Sequence, residues 1–346
     1  MIKHKTRVPQ VLLPVGQVLP LVKDTISPVF RARATNKSAL ESSIVPQQSF
    51  NQRISSTPNN EISVVVIREG DYAEDIDFED TNTPSSCSVY ANECFSYLHD
   101  LDIRWSLKPN FLAQQISVTP KHRAYTVDFL VNLHSQLCSL YTLPLELETL
   151  YCAVGIFDRF LSVRMCSVEN LHLVALASFL IASKFEESFY PAVEHMLRFA
   201  PSTIRKTEVL KMEAVILDAL HFKLGSPTPF RFLRRYAKAA RADQTVGMLA
   251  RFLCEYSLTC YSLVSNYTSS LIAAACISHA LRIANKPAWT ATLQRYSGHE
   301  HHDIVKCMQD MRVLVRRAPL LKTQAVYRKY AQSKYLKISV RACTSI

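Results

Sequence analysis

Leu171-His-Leu-Val-Ala-Leu-Ala-Ser-Phe-Leu-Ile-Ala-Ser183 is apolar on almost every side and halts abruptly in Lys184-Phe-Glu-Glu187. A helix with no polar face is stable only when other helices surround it. A second stretch of the same kind follows, Ser270-Leu-Ile-Ala-Ala-Ala-Cys-Ile-Ser-His-Ala-Leu281. Its surroundings repeat as well. Thr119-Pro120 and Thr228-Pro229 each pair a capping hydroxyl with a proline at the first helical position. Ala124, Val127, Leu130, Val131 and Leu137 then form an amphipathic stripe, and Leu147, Leu150, Val154, Phe157 and Leu161 form another. A helix over 206–220 ends at Phe222-Lys-Leu-Gly225-Ser-Pro227, where glycine followed closely by proline is a stop signal. In the second copy, 249–263 reads as an amphipathic helix, and Gly298 separates two later helices, one running through 304–315. The alternation that strands need is scarce. The sequence predicts an all-α protein made of two copies of one helical unit, each wrapped round a buried alanine-rich helix.

Glycine usage agrees. The chain has 346 residues and 6 glycines, all isolated. No G-x-G-x-x-G turn, Walker A loop or nucleophile elbow can be assembled from them, which removes most nucleotide-binding and hydrolase classes. His299-Glu-His-His-Asp303 lacks the H-E-x-x-H spacing of a zinc site. No cofactor, metal or catalytic residue is expected. The 10 cysteines are spread without a C-x-x-C pair and fall in apolar stretches, as reduced core residues do.

Charge is unevenly placed. The net charge of +11 arises almost wholly in residues 226–346, which carry 19 basic and 5 acidic side chains. Such asymmetry points to an anionic partner, either nucleic acid or an acidic or phosphorylated protein surface. Residues 1–88 are rich in Ser, Thr, Asn and Pro and include an acidic run from Glu69 to Asp80, a composition expected to stay disordered. Within them Ser27-Pro28, Thr57-Pro58 and Thr83-Pro84 are candidate proline-directed phosphorylation sites or plain turn dipeptides. The opening Met1-Ile-Lys-His-Lys5 with Val11-Leu-Leu is interrupted by Pro9, Pro14 and Pro20, which disfavours a signal peptide. The uncharged run 256–281 is long enough to cross a bilayer, but its Ser, Thr, Tyr and Asn content favours two buried helices. No membrane partner is expected.

Several motifs together resemble the cyclin family. His122-Arg-Ala-Tyr-Thr-Val-Asp-Phe-Leu130 looks like the opening of the cyclin box, Asp158-Arg-Phe-Leu161 like its second helix, Ala182-Ser-Lys-Phe-Glu-Glu187 like the end of the third, and Lys211-Met-Glu213 like the fifth. Phe230-Arg-Phe-Leu-Arg-Arg235 and Ser333-Lys-Tyr-Leu-Lys-Ile-Ser339 are similar to second-box features of B-type, G2/mitotic cyclins. The resemblance covers about residues 89–340. It implies two tandem five-helix cyclin boxes: a disordered tail over 1–88, an N-terminal helix and first box over 89–225, a second box over 226–335 and a C-terminal tail over 336–346.

By function it implies a non-catalytic regulatory subunit that binds and activates a cyclin-dependent serine/threonine kinase at the G2/M transition, in nucleus and cytoplasm. A lysine such as Lys184, at the end of an all-apolar helix, sits at the rim of a core and offers three donors to another chain, although a snorkelling surface lysine has the same sequence. The resemblance assigns Lys184 and Glu213 to contacts with the kinase backbone, with Phe185, Glu187, Leu217 and Phe222 beside them, and Tyr90, Cys94 and Tyr97 on the N-terminal helix. It makes Arg123 and Asp158 an internal brace, with Asp128 structural as well. The substrate-docking groove of cyclins falls on His122, Tyr125, Thr126, Phe129 and His172, more polar than usual, and the nearby Glu and Gln become Asn132 and His172. A phosphate pocket for phosphorylated protein substrates falls on Arg234 and Arg251, with Gly247 where a histidine is usual and Arg235 and Lys238 on the same helix. Arg104-Trp-Ser-Leu107 fits the letters of a destruction box but lies in the ordered region, and residues 1–88 hold neither that motif nor a K-E-N triplet. The alternative is a transcription factor with tandem cyclin-like boxes that grips DNA through its basic half. The zinc ribbon such proteins carry needs paired cysteines, and Cys87 is the lone cysteine of residues 1–88.

Overall fold

Two central helices organise the chain, and each is buried by its own sequence. The protein, seen here as a computed structural model, is described over residues 73–141 and 144–344. Those residues contain helices and no strand. Helix α1 (Ser88–Arg104) leads into the first unit, made of α2 (Pro120–Leu140), α3 (Leu147–Val163), α4 (Leu171–Glu186), α5 (Val193–Leu197) and α6 (Lys206–Ala219). The second unit holds α7 (Pro229–Ala239), α8 (Gln244–Ser257), α9 (Tyr261–Asn266), α10 (Ser269–Ile283), α11 (Ala291–Ser297) and α12 (His301–Arg317), followed by α13 (Ala325–Tyr330) and α14 (Ile338–Thr344). The apolar α4 is buried from Val174 to Ser183 and packs on α2, α3 and α6; α10 is enclosed by α7, α8 and α12 in the same way. The stretch Val168–Glu186 is long and apolar enough to cross a membrane by length and composition, and most of it is spent on this core.

The repeat extends to the caps. Thr119 Oγ1 accepts from the His122 amide at 3.3 Å, and Thr228 Oγ1 accepts from the Arg231 amide at 3.3 Å. Each hydroxyl satisfies a donor that has no partner inside its helix. Gly298 ends α11 in the left-handed region at φ 68°. After α6, however, the left-handed residues are not Gly225 but His221 (φ 50°) and Phe222 (φ 57°). Side chains resist that conformation by about 1–2 kcal/mol per residue, and here it swings Phe222 into solvent.

Polar contacts lock the two units together. Arg123, fully buried on α2, donates from Nε and Nη2 to both oxygens of Asp158 on α3 at 2.6 Å. Its Nη1 reaches across to the Leu258 carbonyl beyond α8 at 2.9 Å. Asp102, near the end of α1, accepts from the Ser269 and Ser270 amides that open α10. Asp128 of α2 accepts from the Ala325 amide at the start of α13, at 2.8 Å. Arg231 binds Glu148 and Glu186, so Glu186 at the end of the first core helix is already engaged by the second unit.

Order extends beyond the expected boundaries at both ends. Residues 73–80, placed in the tail by composition, lie against the second unit: Ile76 is buried and the Asp77 carboxylate grips Arg235. The acidic run misled because its charge looked unpartnered, whereas its counter-ions are distant in sequence. At the other end, residues 338–344 form α14, with Ile338 and Ala342 buried against the second unit. Its basic residues, Lys337 and Arg341, disguised that apolar side. The proposed sites at Ser27 and Thr57 and the signal-peptide reading fall outside the described residues.

Removing one member of a buried, hydrogen-bonded ion pair strands the other. Arg123→Met is therefore expected to lower unfolding free energy by about 3–5 kcal/mol, measured by urea denaturation. Arg123→Met/Asp158→Leu should recover part of that loss. A loss in the double variant equal to the sum of the two single-variant losses would show that the pair is not coupled.

Candidate functional site

The C-terminal turn of α4 is where the all-apolar helix meets solvent, and its four last residues divide into two roles. Lys184 projects outward and donates to Glu213 Oε1 of α6 at 2.7 Å, with its side chain 39% exposed and that of Glu213 13%. The lysine has two further donor positions free to turn outward. Glu186 and Glu187 point the other way. Glu186 holds Arg231 of the second unit, and Glu187 accepts from the Glu146 amide and the Thr149 hydroxyl at the start of α3. Glu187, grouped with the binding residues in the sequence reading, is thus a cap for α3. Its carboxylate supplies the acceptor that the first turn of α3 lacks.

The ends of α4 and α6, which the Lys184–Glu213 pair joins, and the segments that follow them leave four aromatic rings uncovered. Phe185 is 48% exposed, Phe189 83%, Tyr190 53% and Phe222 70%. The Lys184 ammonium sits 5.9 Å from the Tyr190 ring, and Leu217 on α6 is half-buried against the core. Val215 of α6 is exposed too. Rings of this size are buried whenever the chain itself provides a place, so an apolar patch of them with a central ion pair has the anatomy of a protein-binding surface. Phe189 and Tyr190 were not singled out from the sequence. They follow a helix end in an irregular segment, where periodicity carries no information.

Comparison with known proteins fits this arrangement. Residues 93–225 match the family described as "Cyclin, N-terminal domain" and residues 227–344 match "Cyclin, C-terminal domain". The "G2/mitotic-specific cyclin-B2" of Oryzias latipes is 36% identical over 269 residues, covering 77% of this chain and 67% of that protein. The chain belongs to the cyclin family. The human "G2/mitotic-specific cyclin-B2" is 37% identical over 270 residues, and the "G2/mitotic-specific cyclin-B" of Spisula solidissima is 36% identical over 266. The chain spans 66% of the human protein's length and 60% of the clam protein's. The fold is shared with a viral cyclin from herpesvirus saimiri, at a TM-score of 0.54 and 20% identity over 66% of this chain and 99% of that one.

Other positions that the cyclin motifs single out are placed as follows. Helix α1 packs on the second box through Phe95 and His99, both against Phe232. Tyr90, Cys94 and Tyr97 consequently face solvent, while Leu101 of the same stripe turns into the core. In the groove over α2, the His122 ring accepts from the Thr119 amide as part of the helix cap, and Tyr125 is exposed. Thr126 is buried and spends its hydroxyl on the His122 carbonyl, so it contributes nothing to a groove wall. Phe129 stacks edge-on against His172, ring centres 4.9 Å apart. Burial holds the His172 pKa below that of a free imidazole, so the pair is neutral at pH 7.

Three cations of the basic second box are paired from inside the chain. Arg235 is buried and bound by both oxygens of Asp77, Lys238 contacts Asp77 and Asp80, and Arg241 meets Glu74 at 2.7 Å. Arg235 also lies over the rings of Phe95 and Tyr296, 4.9 Å from each. The two arginines expected to form a phosphate pocket remain exposed on separate helices. Arg251 lies over the Phe230 ring and joins Lys329 and Lys334 along a cavity of about 320 Å³ that Arg234 does not line. Within it Lys329 is already committed to the buried Glu255, at 2.7 Å, and Tyr330 donates to the same carboxylate. Among the described residues no cluster of three or more His, Cys, Asp or Glu is arranged to hold a metal.

Burial raises the Asp77 pKa, but hydrogen bonds and charge from Arg235, then Lys238, outweigh it and hold the carboxyl below its usual value. A depressed folded-state pKa means stability that is complete above the unfolded value, about 3.9, and is lost as pH falls through the folded value. Docking of residues 73–80 on the second box, followed by backbone amide shifts, should therefore persist through pH 4 and fail only in stronger acid. Asp77→Asn should remove most of that acid step; an unchanged titration would discount the pair.

Proposed function

We propose that this cyclin is the regulatory subunit of a cyclin-dependent serine/threonine kinase, forming a heterodimer that acts at the G2/M transition in nucleus and cytoplasm. It contributes no catalytic group. The observation that carries this reading is the Lys184–Glu213 pair set among the exposed rings of Phe185, Phe189, Tyr190 and Phe222. The aromatic patch suits an amphipathic helix of the kinase, and the lysine and glutamate suit the backbone carbonyl and amide groups at that helix's end. Tyr90, Cys94 and Tyr97 extend the contact from α1. Binding would favour the kinase conformation in which this helix is turned inward and its glutamate pairs with the ATP-positioning lysine. Similarity to G2/mitotic cyclins supports the timing.

Two features bear on substrates and on the DNA-binding alternative. The α2 groove positions carry the Phe129–His172 ring pair and lack an acidic corner, which argues against recruitment of basic R-x-L peptides. Arg235 and Lys238 of α7, and Arg241 after it, are paired to residues 74–80 and are not available to DNA, which weakens the transcription-factor reading.

Charged anchors in desolvated interface centres are worth about 2–4 kcal/mol. Lys184→Ala/Glu213→Ala should thus reduce histone phosphorylation by a co-purified cyclin-dependent kinase at least tenfold at limiting cyclin, with an unchanged melting temperature. Full activation by the double variant would overturn the assignment of this face.

A further inference from the structure

A groove of about 680 Å³ runs between the end of α1, the connector to α2, the α3 surface and the turn after α6. Its walls carry Arg104, Lys108, Arg159 and Lys223, together with His221, and not one carboxylate. This contrasts with α7 of the second box, where Arg235 and Lys238 have found acids within the chain. Arg104, Lys108 and Lys223 are exposed and, among the described residues, form no ion pair. Arg159 is partly buried, lies 4.9 Å over the Trp105 ring and donates from Nη1 to the Lys223 carbonyl at 2.6 Å. That carbonyl and ring hold the guanidinium in place but do not neutralise it. Burial works against its charge, and an arginine nevertheless stays protonated.

We propose that this groove is a docking site for a phosphorylated peptide segment. Four permanent cations without a counter-ion lower the free energy of any anion that enters, and guanidinium groups grip phosphoryl oxygens in pairs. The shape selects a peptide. The groove is concave and has apolar walls from Leu107, Phe111 and Val163, which an extended backbone with side chains covers and a duplex backbone does not. Trp105, already stacked on one face by Arg159, gives the wall an aromatic edge. The groove lies outside the positions Arg234 and Arg251, and its cations come from residues 104–223, the part of the chain with no basic excess.

Its location gives the site a use. His221 and Lys223 line the groove, and the exposed Phe222, which belongs to the kinase-facing set proposed above, lies between them in sequence. A substrate already phosphorylated once would be tethered at the edge of the kinase-facing surface, raising its effective concentration for a second phosphorylation. This use rests on the kinase reading; the binding itself does not.

The test uses the full chain alone, without kinase. Fluorescence anisotropy is measured with a labelled peptide pool of degenerate sequence centred on phosphothreonine or phosphoserine, beside its unphosphorylated counterpart. The phosphorylated pool is expected to bind at least tenfold more tightly. Arg104→Glu/Lys108→Glu should abolish that preference with an unchanged melting temperature, Arg104→Lys/Lys108→Arg should keep most of it, and Arg234→Glu/Arg251→Glu should leave it intact. Equal binding of the two pools, or indifference to reversal at Arg104 and Lys108, would overturn the proposal. So would displacement of the phosphorylated pool by a short DNA duplex at lower concentration than by the same pool unlabelled. Each outcome is read without kinase, so it leaves the Lys184 assignment untouched.

Discussion

The buried guanidinium of Arg123 holds the fold to one geometry. It ties α2 to α3 through Asp158 and reaches the second box through the Leu258 carbonyl. A charge with no solvent contact must have its partners in place; a rotation of one box against the other would strand it. The lesser links follow the same interface: Asp102 on α10, Asp128 on α13, and Arg231 between Glu148 and Glu186. Because Glu186 and Glu187 are spent inward, Lys184 and Phe185 are left to face outward. The exposed face is thus a consequence of how the two boxes are joined.

Charge in this chain is balanced at long range. The basic excess of the last third suggested a partner, yet Arg235 and Lys238 of α7, and Arg241 after it, meet the acidic residues 74–80 of the same chain. A separate set of cations lines the groove beside α1, where the local sequence is close to neutral. Net charge counted along the chain shows neither this groove nor the pairing of Arg235, Lys238 and Arg241.

Much of the architecture could be read before any coordinates. The all-round apolar stretches over 171–183 and 270–281, the repeated Thr-Pro starts and the amphipathic stripes correspond to α4, α10, α2, α7 and α3, because helix period and capping are local properties. Position in the two-box plan was also legible for Lys184 and Glu213, through motif spacing. What escaped were features that depend on sequence-distant partners: the inward turn of Glu187, the burial of Thr126, the ordered acidic segment and the buried Glu255–Lys329 pair. Phe189 and Tyr190 escaped for another reason. They lie in irregular backbone, and their exposure is set by the end of α4 rather than by any pattern of their own.

The central claim is that the chain meets its kinase through the ends of α4 and α6. Hydrogen–deuterium exchange of the cyclin, alone and mixed with a cyclin-dependent kinase, tests it most directly. Slower exchange over 184–190 and 210–222, together with the outward face of α1, is the predicted result. Protection confined to the second box, with residues 184–190 exchanging as in the free protein, would contradict it.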